Sequence, residues 1–162
     1  MTALTLLFAA VLALPPGPTL VRLVDVTADG SFDRVDVDTT GTLTVAVQEG
    51  SRIFRAVSQS LPAVAAINVL TADLDRDGNL DLYFVADGEN VALLGDSTGR
   101  FDVATDALGL ADDGIGRSAE SVDVDGDGLA DVLLHNAVED VVFWAQPDGT
   151  FSRWEDETAT SG

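Results

Sequence analysis

The sequence predicts an all-β chain built from three copies of a four-stranded unit, and three observations lead there. An Asp-rich nine-residue pattern recurs at a near-constant interval. A short apolar run, often rich in β-branched and aromatic residues, follows each intact copy and is ended by turn residues. Phenylalanines that come after turn-forming stretches repeat at the same interval.

The pattern Asp-x-Asp-x-Asp-Gly-x-x-Asp occurs intact over Asp73–Asp81 (Asp73, Asp75, Asp77, Gly78, Asp81) and again over Asp123–Asp131 (Asp123, Asp125, Asp127, Gly128, Asp131). An eroded copy over Asp25–Asp33 keeps Asp25, Asp29, Gly30 and Asp33 but has Thr27 at position 3. The copies start 48 and 50 residues apart, and Phe54, Phe101 and Phe151 recur at 47 and 50. Self-similarity at such a period marks a solenoid, a propeller or an array.

The strands follow in order. The first repeat gives Leu20–Val24, Arg34–Val37, Thr42–Val47 and Arg52–Arg55. The second gives Ala66–Thr71, Leu82–Ala86, Val91–Leu94 and a strand near Phe101. The third gives Ser121–Val122, Val132–His135, Val141–Trp144 and an edge around Phe151. Brief apolar runs bounded by Gly, Asp and Asn read as strands, and the continuous ones as strands buried on both faces. Four strands in a repeat of this length match a β-propeller blade. The repeats divide as 19–66, 67–114 and 115–162. Propellers close with about four to eight blades, so three repeats imply further blades in a longer chain or a homo-oligomer, a dimer completing six. Phe151–Ala159 resembles the linker that begins at Phe101, and a fourth repeat would follow it. On this reading the strands Thr42–Val47 and Val141–Trp144 lie on uncovered outer faces.

Four carboxylates in nine residues repel one another, and an unfilled loop would splay or take up protons. A hard cation resolves the conflict. Ca²⁺ accepts six to eight oxygens at roughly 2.3–2.6 Å in a tolerant geometry. Positions 1, 3, 5 and 9 supply carboxylates, Gly at position 6 permits the turn, and the carbonyl of position 7 (Asn79, Leu129) adds a ligand. The two intact loops should bind with similar affinity, and the Asp25, Asp29 and Asp33 loop more weakly. An EF-hand would need a bidentate acid at position 12 and flanking helices. Position 12 is Phe84 and Leu134 in the intact copies, with Asp36 in the eroded one, and the flanks are strands.

These loops and strands resemble FG-GAP/VCBS-type calcium propeller repeats, the kind found in integrin α-subunit heads and many bacterial surface proteins. The resemblance spans residues 20–155, and Asp73–Asp81 and Asp123–Asp131 are its specific part. In place of the family's aromatic-glycine signature stands Gly114-Ile115-Gly116. The resemblance implies a secreted, periplasmic or cell-surface module that recognises a protein or glycan, with a structural spacer or a polysaccharide-degrading propeller as alternatives.

Composition fits that expectation. The net charge is −20, from 28 acids against eight bases that are all Arg, and 22 of the acids are Asp. So acidic a chain is poorly suited to nucleic acid or anionic membranes. Cysteine is absent, which excludes a disulfide framework. Ala3–Leu14 is apolar apart from Thr5 and is followed by Pro15-Pro16-Gly17-Pro18. It is too short to span a bilayer, where about 20 residues are usual. It reads as the core of a secretion signal or as a strand of a partial blade. The single histidine, His135, continues an apolar strand, and no Ser/His/Asp set, zinc spacing or phosphate loop is present. The expectation is a binding module and not an enzyme.

Overall fold

The computed structural model describes residues 20–154. The apolar segment before Leu20 and the linker resemblance after Trp154 lie outside the described residues. The strands are β1 (Leu20–Val24), β2 (Asp33–Val37), β3 (Leu43–Gln48), β4 (Phe54–Ala56), β5 (Ala66–Ala72), β6 (Asp81–Ala86), β7 (Val91–Gly95) and β8 (Phe101–Val103), then β9 (Gly116–Val122), β10 (Asp131–Asn136), β11 (Val141–Ala145) and β12 (Phe151–Arg153). One short helix, α1 (Thr105–Leu108), follows β8. Each group of four strands forms an antiparallel meander, so the described chain is all-β and divides into three blades. The first strands β1, β5 and β9 lie side by side, and the sheets stack face to face.

Packing follows from the side-chain period of a strand. A residue's two neighbours on a strand point to the opposite face. In blade 1 the first four residues of β2 and of β3 alternate buried and half-buried, because only one face is covered. Blade 2 sits between two others, and every residue of β6 is buried. Val35, Val37, Leu43 and Val45 pack against Leu82, Phe84, Leu93 and Phe101 in the first seam. Tyr83, Val85 and Ala92, on the other face of blade 2, meet Val132, Leu134, Phe143 and Phe151 in the second.

Thr42–Val47 is therefore not an uncovered apolar strand. Leu43, Val45 and Val47 point into the first seam, and the outer face carries what lies between them. Pairing sets Arg34 opposite Ala46 and Asp36 opposite Thr44. These positions correspond to Leu82, Leu93, Phe84 and Val91 in blade 2. The outer face of blade 1 thus holds an Arg34–Asp36 ion pair (2.7 Å) where the other blades are apolar. Phe54 marks the same asymmetry: it is 41% exposed, whereas Phe101 and Phe151, its counterparts inside the seams, are 6% and 7% exposed. Val141–Trp144 is divided in the same manner, with Val141 and Phe143 buried in the second seam and Val142 and Trp144 half-buried on the far face.

Polar anchors fix the seam between blades 2 and 3. The Tyr83 hydroxyl donates to the Leu110 carbonyl (3.0 Å) and accepts from Asn90 Nδ2 (3.1 Å). Asp112 accepts from Arg153 (2.7 Å), Asn136 (3.1 Å) and the Gly114 amide (3.0 Å). Gly116 stands where β9 passes β6, and a Cβ there would lie 2.4 Å from Val85 Cγ1. That close approach accounts for glycine in the Gly114-Ile115-Gly116 stretch. In the β7–β8 and β11–β12 turns, Thr98 and Thr150 donate hydroxyl and amide bonds to Asp96 and Asp148. The threonine hydroxyls hold both carboxyls below the usual range.

Each seam depends on one fully buried phenylalanine contributed by a middle strand. Phe84→Ala and Phe143→Ala should each destabilise the protein by roughly 3–5 kcal/mol, as large-to-small core changes do. Val21→Ala, on the outer face of blade 1, should cost less than about 0.5 kcal/mol. Urea unfolding midpoints of the three variants check this ordering.

Candidate metal centres

The three Asp-rich loops join the first and second strands of each blade, so all lie at one end of the stack. The β3–β4, β7–β8 and β11–β12 turns share that end, and the inter-blade linkers occupy the other. Position 9 of each loop is also the first residue of the second strand, and it is buried: Asp33 and Asp81 are 0% exposed and Asp131 2%. A buried carboxylate needs partners for both oxygens. One oxygen accepts the amide of loop position 2, from Val26 (3.0 Å), Leu74 (2.6 Å) and Val124 (2.9 Å). The other accepts the amide that ends, or in blade 1 completes, the third strand: Gln48 (2.8 Å), Gly95 (2.9 Å) and Ala145 (2.8 Å). Sequence reasoning missed those three amides. Their signal was available, since positions 48, 95 and 145 recur at the same 47- and 50-residue spacing as the phenylalanines.

The rest of each loop folds around its own carboxylates. Position 1 accepts the amide of position 6, Gly30 to Asp25 (2.8 Å), Gly78 to Asp73 (3.0 Å) and Gly128 to Asp123 (3.0 Å). Position 5 accepts the amide of position 7, from Ser31 to Asp29, Asn79 to Asp77 and Leu129 to Asp127, each at 2.7 Å. Gly78 and Gly128 both sit at φ +90°, a conformation that a Cβ disfavours.

Two groups of three carboxylates result. Asp73, Asp75 and Asp81 bring oxygens within 4.8 Å of one another, and Asp123, Asp125 and Asp131 do the same. Two oxygens bound to one ion at about 2.4 Å can be no farther apart than about 4.8 Å, so both sets meet the geometric condition for a shared cation. The donors are hard oxygens, which suit Ca²⁺, Mg²⁺ or Mn²⁺ over softer metals. Asp77 and Asp127 stand at the rim of these groups, turned to the position-7 amides, and Asn79 Nδ2 adds a bond to Asp77 (2.7 Å).

In the first loop Thr27 replaces the position-3 acid, and its amide and hydroxyl both donate to Asp33 (3.2 Å each). Asp33 therefore has hydrogen-bond donors where Asp81 and Asp131 face a second carboxylate. Among the described residues, Asp25, Asp29 and Asp33 form no such three-acid group. Burial, with the charge of Asp75 adding to it, pushes the Asp81 carboxyl up to about 6, against the opposing bonds from Gly95 and Leu74.

A family model for the FG-GAP-like repeat matches residues 73–134, from the first acid of the second loop to the strand after the third. The match encloses both three-acid groups and leaves out the Thr27 loop. Neither the curated proteins nor the solved structures give a match. No helix among the described residues is long and apolar enough to cross a membrane.

The raised Asp81 value sets a pH dependence. Without metal, the folded chain holds this proton more tightly than the unfolded chain, whose value is near 3.8, so Asp81 contributes stability as pH falls through about 6 and opposes folding above it. With calcium present the sign reverses, because protonation competes with the ion. Thermal melts from pH 7 down to about 5, with chelator and with calcium, should slope in opposite directions, and Asp81→Asn should flatten both relative to wild type.

Proposed function

We propose that this chain is a calcium-binding blade-repeat module of an exported protein, in which the ions brace one end of the stack and other surfaces recognise a protein or glycan. The observation that carries the reading is the convergence of Asp73, Asp75 and Asp81, and again of Asp123, Asp125 and Asp131, around loops whose backbone is already turned for it. Calcium is favoured over magnesium because each loop offers many anionic oxygens within nine residues. Magnesium demands a near-ideal octahedron at about 2.0–2.1 Å and keeps several waters. The carbonyls of Asn79 and Leu129 and the rim acids Asp77 and Asp127 would complete the shells. Asp25, Asp29 and Asp33, with Thr27 in the set, make a weaker third site. The location proposed with this reading is secreted, periplasmic or at the cell surface, where calcium modules typically have dissociation constants of about 10⁻⁴–10⁻³ M.

Recognition falls to the end opposite the loops. A groove of about 740 Å³ opens there between blades 2 and 3, beside α1 and the linker, with Asn90, Asp106, Asp113 and Arg153 in its wall. A binding role is preferred to a catalytic one. His135, the only histidine, is engaged by Asp140 (3.0 Å) and faces Glu120 (3.6 Å) on the outer face of blade 3. That face, with Leu133, Val142 and Trp144, is also where further blades or a second copy would dock.

Calorimetric titration of chelator-treated protein tests the central assignment, and absence of any calcium heat would refute it. With a dissociation constant near ~0.1 mM, ~1 mM calcium contributes roughly 1.4 kcal/mol per site through linkage. Chelation should lower the melting temperature accordingly, and Asp127→Ala should lose the share of its own loop. A glycan array probed with calcium present and absent tests the recognition role.

A further inference from the structure

The two intact loops are alike in sequence but not in surroundings. Loop Asp73–Asp81 lies beneath the β11–β12 turn of the next blade. Gly149, at φ +88°, comes so close that a Cβ there would stand 3.1 Å from the Asp75 carbonyl oxygen. From loop position 4, Arg76 reaches across the seam and its guanidinium donates to the Gln146 carbonyl. The turn thus rests on positions 3 and 4, and position 3, Asp75, is one of the three clustered acids. Among the described residues no turn covers loop Asp123–Asp131, and Asp123–Gly128 are all exposed.

Position 4 is left-handed in all three loops, with Ala28 at φ +56°, Arg76 at φ +64° and Gly126 at φ +82°. For a residue with a side chain this conformation costs roughly 1–2 kcal/mol, and glycine avoids the cost. The third loop uses glycine there. The second bears the cost with an arginine whose hydrogen bond lands on the neighbouring blade.

We propose that Arg76 and the Gln146–Thr150 turn make Asp73–Asp81 the tighter of the two calcium loops, and couple its occupancy to the seam between blades 2 and 3. The inference rests on the calcium reading above. A loop of mutually repelling carboxylates gives up conformational freedom when it closes on an ion. A loop already held by its neighbour loses less on binding and so binds more tightly. The guanidinium ends on Gln146, across the seam from the carboxylates, where solvent screens its charge while the backbone restraint persists. Linkage makes the effect reciprocal: an ion that prefers the braced loop also stabilises the contact that braces it.

The test uses the full chain with one loop disabled at a time. Asp123→Asn with Asp127→Asn leaves the inner loop, and Asp73→Asn with Asp77→Asn leaves the outer. Calorimetric titration with calcium should show the inner-loop protein binding at least about fivefold more tightly, the lower range of couplings between sites. Arg76→Gly, which removes the arm and relieves the backbone, should bring the inner loop down to the outer one. Arg76→Lys, which keeps a charged donor, should retain most of the difference. Hydrogen exchange supplies an independent readout, since calcium should slow the Gly149 and Thr150 amides in the inner-loop protein and not in its Arg76→Gly variant. Equal affinities in the two proteins, or tighter binding after Arg76→Gly, would overturn the coupling while leaving the calcium reading intact. No calcium uptake by either protein would instead remove the calcium reading on which the coupling rests.

Discussion

The buried carboxylate at loop position 9 is the constraint on which the rest of each blade depends. Asp33, Asp81 and Asp131 each tie three pieces of chain together: the start of the loop, the head of the second strand and the end of the third. Bonds from backbone amides to an ionised carboxylate are charge-assisted and stronger than neutral ones, and removing a buried acceptor leaves its donors unsatisfied. This brace is present in all three blades, including the one whose position-3 acid has become Thr27. The brace therefore does not require the three-acid group. Where a second acid stands beside it, the same carboxylate is the deepest member of a three-acid group that could hold a cation.

Stacking then follows from the faces the strands present. Blade 2, apolar on both sides, joins the others through two separate cores, one on each side of β6 and β7. The ends of the stack differ. On blade 1 the middle strands present Arg34, Asp36 and Thr44 outward beside exposed Val21, Leu23 and Phe54, whereas blade 3 presents half-buried Leu133, Val142 and Trp144 on its far face.

Much of this was legible in the sequence because the repeat writes each signal three times. Sheet number, strand order and most strand bounds agree with the apolar runs, and the continuous run Leu82–Ala86 marked the strand covered on both faces. The misses have local causes. The β9 strand begins at Gly116, five residues before the apolar signal at Ser121, since Arg117, Ser118 and Glu120 carry no alternation and the strand is held by pairing with β10. The β4 strand starts at Phe54 because Gly50 and Arg52 both take positive φ and lengthen the turn. Helix α1 falls within the expected inter-repeat linker; its trace is the Leu108-Gly109-Leu110 stretch, with Gly109 left-handed at the helix end and both leucines in the second core. The site was legible in its acids and not in its amides. A backbone donor carries no residue signature, so Gln48, Gly95 and Ala145 were visible only through their spacing. The polar face of blade 1 was in plain view as alternation in Asp33–Val37, but its meaning needed the register with blade 2.

The most direct test of this account is amide hydrogen exchange on the intact chain, followed residue by residue in chelator and in calcium. If position 9 is a brace that metal binding extends, the amides of Gln48, Gly95 and Ala145 stay protected in chelator. Calcium should then slow the amides of Gly78, Asn79, Gly128 and Leu129 while leaving Gly30 and Ser31 unchanged at the same concentration. Free exchange of Gly95 and Ala145 in chelator, or equal slowing of all three loops on adding calcium, would contradict it.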